Sequence, residues 1–238
     1  MAGLLIFQGC KDRPEFATRL YKKFNNKVFR DLDTAGYNPM FRKVLQQKQK
    51  NLKYPQIISK YYKSKNYEPL FISKFLPEDE VQLVLDHFSK AGEHGLNPEL
   101  FNYTELKEMT DKFYDQKSIK TTDEAYQAMA NLEIELAESL LFYSNTLGYG
   151  LTDPHKLFKE YYMGILYPDS VSMAKVFAIS NLKNYLDSIQ PHNPEYLILQ
   201  KGLKTNFIYT GLSLPDTRKT IELNLERLRW KNKPTTNR

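Results

Sequence analysis

From Asp123 to Leu147 the chain carries apolar residues at helical spacing without a break. Met129, Leu132, Leu136, Leu140, Tyr143 and Leu147 fall on one stripe. Thr122-Asp123 supplies a starting cap, and Gly148 and Gly150 supply the stop. The stripe predicts one long helix over about 123–147. Glu133, Glu135 and Glu138 are expected on its solvated face. Glycine is scarce, with 10 in 238 residues, which argues against a glycine-turned sandwich. The fold class expected is all-α, mostly helical, with at most a few short strands.

Shorter patterns extend this reading. Phe41, Val44, Leu45 and Leu52 give one side of a helix within Phe41–Lys53. Asn66-Tyr67-Glu68-Pro69 reads as a turn. Leu70-Phe71-Ile72 reads as a short extended run. Pro77-Glu78-Asp79-Glu80 is suited to opening a helix whose core face is Val81, Val84, Leu85 and Phe88. Gly92 and Gly95 are placed to end it. A short helix pair is expected over about 99–117, then helices over about 171–190, 194–203 and 217–231, with Ser213–Asp216 as a turn.

Charge divides the chain. Residues 1–66 hold 15 basic against 4 acidic residues, and residues 67–130 hold 6 against 13. A basic segment of this kind suits nucleic acid, anionic lipid or an anionic polymer, or a solvated helical face. The chain's 17 tyrosines, interleaved with lysines in the first third, suit stacking on a base or sugar ring, or plain packing.

Catalytic constellations are not evident. His87, His94, His155 and His192 show no paired ligand spacing, and His94 and His155 read as loop residues at the surface or at caps. The lone cysteine, Cys10, excludes an internal disulfide. It follows Leu4-Leu5-Ile6-Phe7 and Gly9, which looks like the end of a bacterial lipoprotein signal. Cys10 is therefore expected to be lipidated; an unmodified surface cysteine is the alternative. No stretch approaches the ~20 apolar residues of a membrane-spanning helix.

Four patches, in order, carry a resemblance. Tyr67-Glu68-Pro69-Leu70-Phe71 resembles the tyrosine–proline–leucine–aromatic element of the L,D-transpeptidase scaffold. Ala91–Pro98 (AGEHGLNP) resembles that family's helix end and Gly-Leu-x-Pro turn. Glu133–Pro154 resembles its long helix running into a glycine loop. Asn224–Trp230 (NLERLRW) resembles the N-x-E-R-x-R-W helix that stands before the catalytic domain, and Pro191–Leu199 adds the usual proline, tyrosine and leucine spacing. The similarity spans about residues 67–233. The family's histidine and Ser-x-Gly-Cys nucleophile motif have no counterpart here. Lys201–Pro215 alone bridges the place where some members carry a peptidoglycan-binding module.

The resemblance implies a division into a signal remnant (1–10), a basic Lys/Tyr-rich segment (11–66), a helical scaffold (67–216) and a linker helix with tail (217–238). It implies the non-catalytic scaffold of a murein L,D-transpeptidase in the periplasm or cell envelope, with no catalytic residue, metal or cofactor in this chain. The expected partners are a downstream catalytic domain, peptidoglycan and, through the lipid anchor, the membrane, with no nucleic acid. Leu223, Asn224, Glu226, Arg227 and Trp230 are expected to face the downstream domain. Leu223, Arg227 and Trp230 share one side of the helix, and Ile221, Leu225 and Leu228 share another. Trp230 is accordingly expected to be only partly buried. The alternative is a stand-alone envelope lipoprotein that binds a glycan or protein partner. A cytoplasmic nucleic-acid binder rests on charge alone.

Overall fold

Several helices start on a residue whose side chain accepts from the first turn, among them Asn26, Asp33, Thr121, Asn181 and Ser213. The basic N-terminal segment forms α1 (Glu15–Phe24), α2 (Lys27–Arg30), α3 (Thr34–Lys48) and α4 (Pro55–Ser64). Next come α5 (Phe71–Lys74), α6 (Val81–Ser89), the 3-10 turns η1 (Ala91–His94) and η2 (Pro98–Phe101), and α7 (Tyr103–Tyr114). The long helix is α8 (Thr122–Tyr149). It is followed by α9 (Pro154–Leu157), α10 (Ser170–Ala174), the 3-10 turn η3 (Lys175–Ala178), α11 (Leu182–Ser188), α12 (Pro194–Lys204) and α13 (Leu214–Arg229). Two-residue strands β1 (Ile165–Leu166) and β2 (Lys231–Asn232) pair antiparallel, Ile165 opposite Asn232. The architecture is all-α. The computed structural model describes residues 13–158, 160 and 164–232; Cys10 and the whole segment 1–10 lie outside the described residues.

Helix α8 is the axis of the fold and packs against α2, α3, α4, α5, α7 and α13. Its N-cap is Thr121, one residue before the expected position. The Thr121 hydroxyl accepts from Glu124 N, and the Glu124 carboxylate accepts in return from Thr121 N, closing a capping box. Gly148 lies inside the helix, and Gly150 ends it at φ 88°. Residues 132–141 are all buried, so over this stretch α8 has no solvated face. The expectation for Glu133, Glu135 and Glu138 is overturned: they are 0%, 7% and 3% exposed.

The core is continuous from Phe16 to Leu186. The basic segment belongs to it: Phe16, Leu20, Phe24, Phe29, Tyr37, Phe41, Ile58 and Tyr62 are buried. Two of the first-third tyrosines, Tyr37 and Tyr62, are thus packing residues rather than stacking platforms, and Phe41 and Tyr62 meet at 4.7 Å between ring centroids. Tyr196, Leu203, Ile221 and Leu225 form a second, smaller cluster between α12 and α13.

Four local expectations are corrected. Leu70–Ile72 is not extended; Phe71 begins helix α5. Pro77–Glu80 does not open α6, which starts at Val81. Asp79 sits in the left-handed region at φ 60°, which breaks helical continuation, and its carboxylate is held by Lys23 and Tyr114. The stretch 171–190 is not one helix. The chain leaves helical geometry at Ile179, and Asn181 restarts it by accepting from Asn184 N at 2.7 Å. The last helix also begins earlier than expected, at Leu214, capped by Ser213.

Candidate functional site

A buried carboxylate must find donors or lose its charge. Glu133 finds four. Its Oε1 accepts from the Tyr62 hydroxyl at 2.6 Å, Leu70 N at 2.6 Å and Phe71 N at 3.1 Å, and its Oε2 accepts from Ile72 N at 2.8 Å. Those amides open α5, so Glu133 supplies in trans the anion that a helix N-terminus favours. This is why Leu70–Ile72 turns helical. Burial pushes the Glu133 carboxyl up from the usual range, while Tyr62 and the three amides pull it down. Glu138 does similar work for the start of α4, accepting from Lys53 N and Tyr54 N. Glu135 pairs with Lys48 Nζ and accepts from Asn102 Nδ2 at 3.2 Å.

A further carboxylate, Glu226 of α13, ties that helix to the turn after α8, and its partner Arg229 extends the link to η1 and α12. Its Oε1 accepts from Leu151 N at 2.7 Å, Thr152 N at 2.7 Å and Trp230 Nε1 at 3.1 Å. Its Oε2 accepts from Arg229 Nε at 3.1 Å and Nη2 at 2.7 Å, a two-pronged pair. The remaining prong, Arg229 Nη1, donates to His94 O at 2.8 Å and to the Tyr196 hydroxyl at 2.9 Å. His94 Nδ1 lies 3.0 Å from the same hydroxyl. The glycine turns are fitted to this helix. A Cβ on Gly150 would lie 2.6 Å from Trp230 Cδ1, and one on Gly95 would lie 3.2 Å from Glu222 Cα. Both glycines also hold positive φ.

The segments singled out in the sequence therefore meet at two carboxylates. Tyr67–Phe71 meets the long helix at Glu133. The Ala91–Pro98 turn, the glycine loop after α8, Tyr196 and the Asn224–Trp230 motif meet at the Glu226–Arg229 pair. Of the residues expected to face a downstream domain, Glu226 and Trp230 turn inward. Trp230 is 8% exposed, against the expectation of partial burial. The physical reason is that it follows the last residue of α13 with extended backbone, which carries the indole over the Gly150 turn instead of along the Leu223 side. Leu223 and Arg227 are exposed, and Asn224 is half-buried with its amide donating to Thr220 O.

The histidines divide. His155 is an exposed residue of α9, its Nδ1 3.0 Å from Asp153 Oδ1. His94 is not at the surface as expected but buried under α12. Burial, then the Arg229 charge, lowers its pKa from 6.5 to about 4. The sequence reading missed Arg229 and Tyr196 as site residues. The signal for Arg229 was available: it is three residues from Glu226 on a helix, one turn along the same side.

Chemically the cluster holds geometry. Each carboxylate is held by two or more donors, and no group of three His, Cys, Asp or Glu among the described residues could hold a metal ion. No helix among them is long and apolar enough to cross a membrane. The pKa of His94 gives a measurable consequence. Its folded value lies below its unfolded value, so the unfolded chain binds more protons between them, and stability falls as pH drops from 6.5 towards about 4. Trp230 fluorescence is expected to be blue-shifted and protected from quencher at neutral pH, then to shift red across that window. A red-shifted tryptophan at neutral pH would contradict the packing of α13.

No curated protein and no solved structure matches the chain. A family description does. The family described as "Scaffold domain" matches residues 56–203, which run from α4 to the end of α12 and include the donors around Glu133, the Gly95 turn, the glycine loop and Tyr196. The match covers more than half of the sequence, and the chain belongs to the scaffold-domain family.

Proposed function

We propose that this chain is the non-catalytic scaffold portion of a murein L,D-transpeptidase, acting in the cell envelope during peptidoglycan cross-linking and cell wall biogenesis. One observation carries the reading. The N-x-E-R-x-R-W helix is locked through Glu226 and Arg229 to both glycine turns of the scaffold. The direction in which the chain leaves Trp230 is thereby fixed against the body, which is what a scaffold that orients a following domain needs. The ordered succession of the four motif segments supports the same reading. Within it, Cys10 is the proposed lipid anchor in the periplasm. The test compares the 238-residue chain with its full reading frame on purified muropeptides. The full product is expected to form cross-linked dimers through a cysteine outside this sequence, and the chain alone to form none. Turnover by the chain alone, or a full product that makes no dimers, would overturn the proposal.

A second reading, an envelope protein that serves by binding a protein partner, is favoured by one surface. Leu197, Ile198, Phe207 and Ile208 are 47%, 70%, 50% and 52% exposed on α12 and the loop after it. Apolar residues grouped in this way mark interaction surfaces.

A further inference from the structure

The pair α3 and α4 carries charge of one sign. From Thr34 to Tyr67 there are eight lysines and arginines and no aspartate or glutamate; Asp33 and Glu68 bound the stretch. The two helices lie side by side. The ring of Phe41, in the middle of α3, meets that of Tyr62, near the end of α4, and both helices rest on α8. Their buried residues are Tyr37, Phe41, Val44 and Leu45 on α3 and Ile58 and Tyr62 on α4. Lys43 on α3 and Lys60 and Lys63 on α4 stand at helical positions away from these and are exposed. Lys50, in the turn between the helices, and Lys65, just after α4, are exposed as well. The other three cations of the stretch are used within the protein: Lys48 pairs with Glu135, Lys53 lies over the Phe142 ring, and Arg42 lies over the Tyr67 ring. None of the five exposed lysines forms an ion pair with a described residue. Like charges gathered in this way repel one another, and an anionic partner relieves that cost.

The rest of the face narrows the choice of partner. Single-stranded nucleic acid needs bare rings to stack on, and the rings here are taken. Tyr37 and Tyr62 are buried, Tyr61 stacks on Phe177 at 4.1 Å, and Tyr67 lies under Arg42. A duplex groove of about 12 Å admits one helix, whereas two helices side by side, each about 10–12 Å across, are too broad to enter. A stable protein partner needs an apolar centre and is poor in lysine, but no large apolar residue between Thr34 and Tyr67 is exposed. For the same reason the face has nothing to insert among acyl chains. Lysine is a point charge on a flexible stem and imposes no fixed geometry, which suits headgroups that move beneath it. We propose that the outer face of α3 and α4 seats the protein on a bilayer surface rich in anionic headgroups. The contact is electrostatic and peripheral, and it is independent of lipidation at Cys10.

The test sediments the 238-residue chain, carrying Cys10→Ser so that no acyl chain contributes, with vesicles of phosphatidylcholine alone and of phosphatidylcholine mixed in equal parts with phosphatidylglycerol. Binding is expected to the mixed vesicles only and should weaken as salt rises, because exposed charges are screened over about 10 Å at 0.1 M ionic strength. Lys43→Gln with Lys60→Gln and Lys63→Gln should bind about a hundredfold more weakly, each lysine near an anionic bilayer being worth about fivefold. All three side chains are exposed, so circular dichroism should show an unchanged fold. Lys117→Gln with Lys201→Gln and Lys219→Gln removes the same charge from exposed positions elsewhere and should leave most of the binding. Equal binding to neutral vesicles, an equal loss in the second triple variant, no binding to either vesicle, or tighter binding to a short DNA duplex than to the vesicles at the same salt would each overturn the proposal. A chain that stays off the vesicles while its full reading frame cross-links muropeptides would defeat this face and leave the scaffold assignment standing.

Discussion

Glu133→Ala is expected to lower global stability by about 3–5 kcal/mol, the scale for removing one partner from a buried charged network. Three amides at the start of α5 and the Tyr62 hydroxyl would lose their acceptor at once, and each buried unsatisfied group costs about 1–3 kcal/mol. Small domains have about 5–15 kcal/mol in all, so the variant should sit near its unfolding midpoint in mild denaturant. Urea unfolding followed by circular dichroism measures this. Glu133→Gln should fall between, because one of its two side-chain termini must present N–H groups towards backbone amides that donate. An alanine variant with wild-type stability would show that α5 is held by other means.

Glu226→Ala is expected to act as strongly but in a different place. Arg229 is 3% exposed, and without Glu226 its guanidinium loses the carboxylate that holds two of its nitrogens. Leu151 N, Thr152 N and Trp230 Nε1 lose their acceptor too. A cost of about 3–5 kcal/mol again applies, but α13 and α12 share a cluster separate from the main core. The loss should therefore appear as local opening. Hydrogen exchange should accelerate in α13 and at residues 150–152 while the amides of α8 stay protected, and Trp230 fluorescence should shift red. Uniform loss of protection across α8 would show that the small cluster and the main core unfold as one unit.

These two carboxylates mark where the sequence was readable and where it was not. The stripe of α8 announced its length and its buried side correctly. Its opposite side did not read as buried, because glutamates on a helix usually face water. A clue was present: from Thr121 to His155 there is no lysine or arginine, and a long helix with a wet face seldom lacks cations. The donors that hold Glu133 lie 61 to 71 residues away in sequence, beyond any local pattern. The same distance explains Leu70–Ile72, whose helical state depends on an anion supplied by another helix. Trp230 was misplaced because helical periodicity was extended one residue past the end of α13. The motif segments were legible as patches. Their meeting at Glu133 and at the Glu226–Arg229 pair was not, since spacing along a chain says nothing of which turns face each other. His94 looked like a loop residue by composition, and its burial comes from α12 packing over η1.

The order in which the contacts close has a consequence for synthesis. Arg229 Nη1 reaches His94 O across 135 residues, and Glu226 reaches Leu151 N across 75. Loops of this length close late, after local helices have formed. On the ribosome the main core around α8 can assemble once α11 has emerged, but the polar groups around His94, Leu151 and Tyr196 wait, hydrated and unpaired, for the last helix. A nascent chain that stalls before Arg229 leaves that seam open, with Tyr196 and Leu203 lacking their cover, and so differs visibly, to any factor that senses exposed apolar surface, from one in which α13 has docked. The helix that closes the seam is also the one that hides Tyr196 and Leu203 from such a factor.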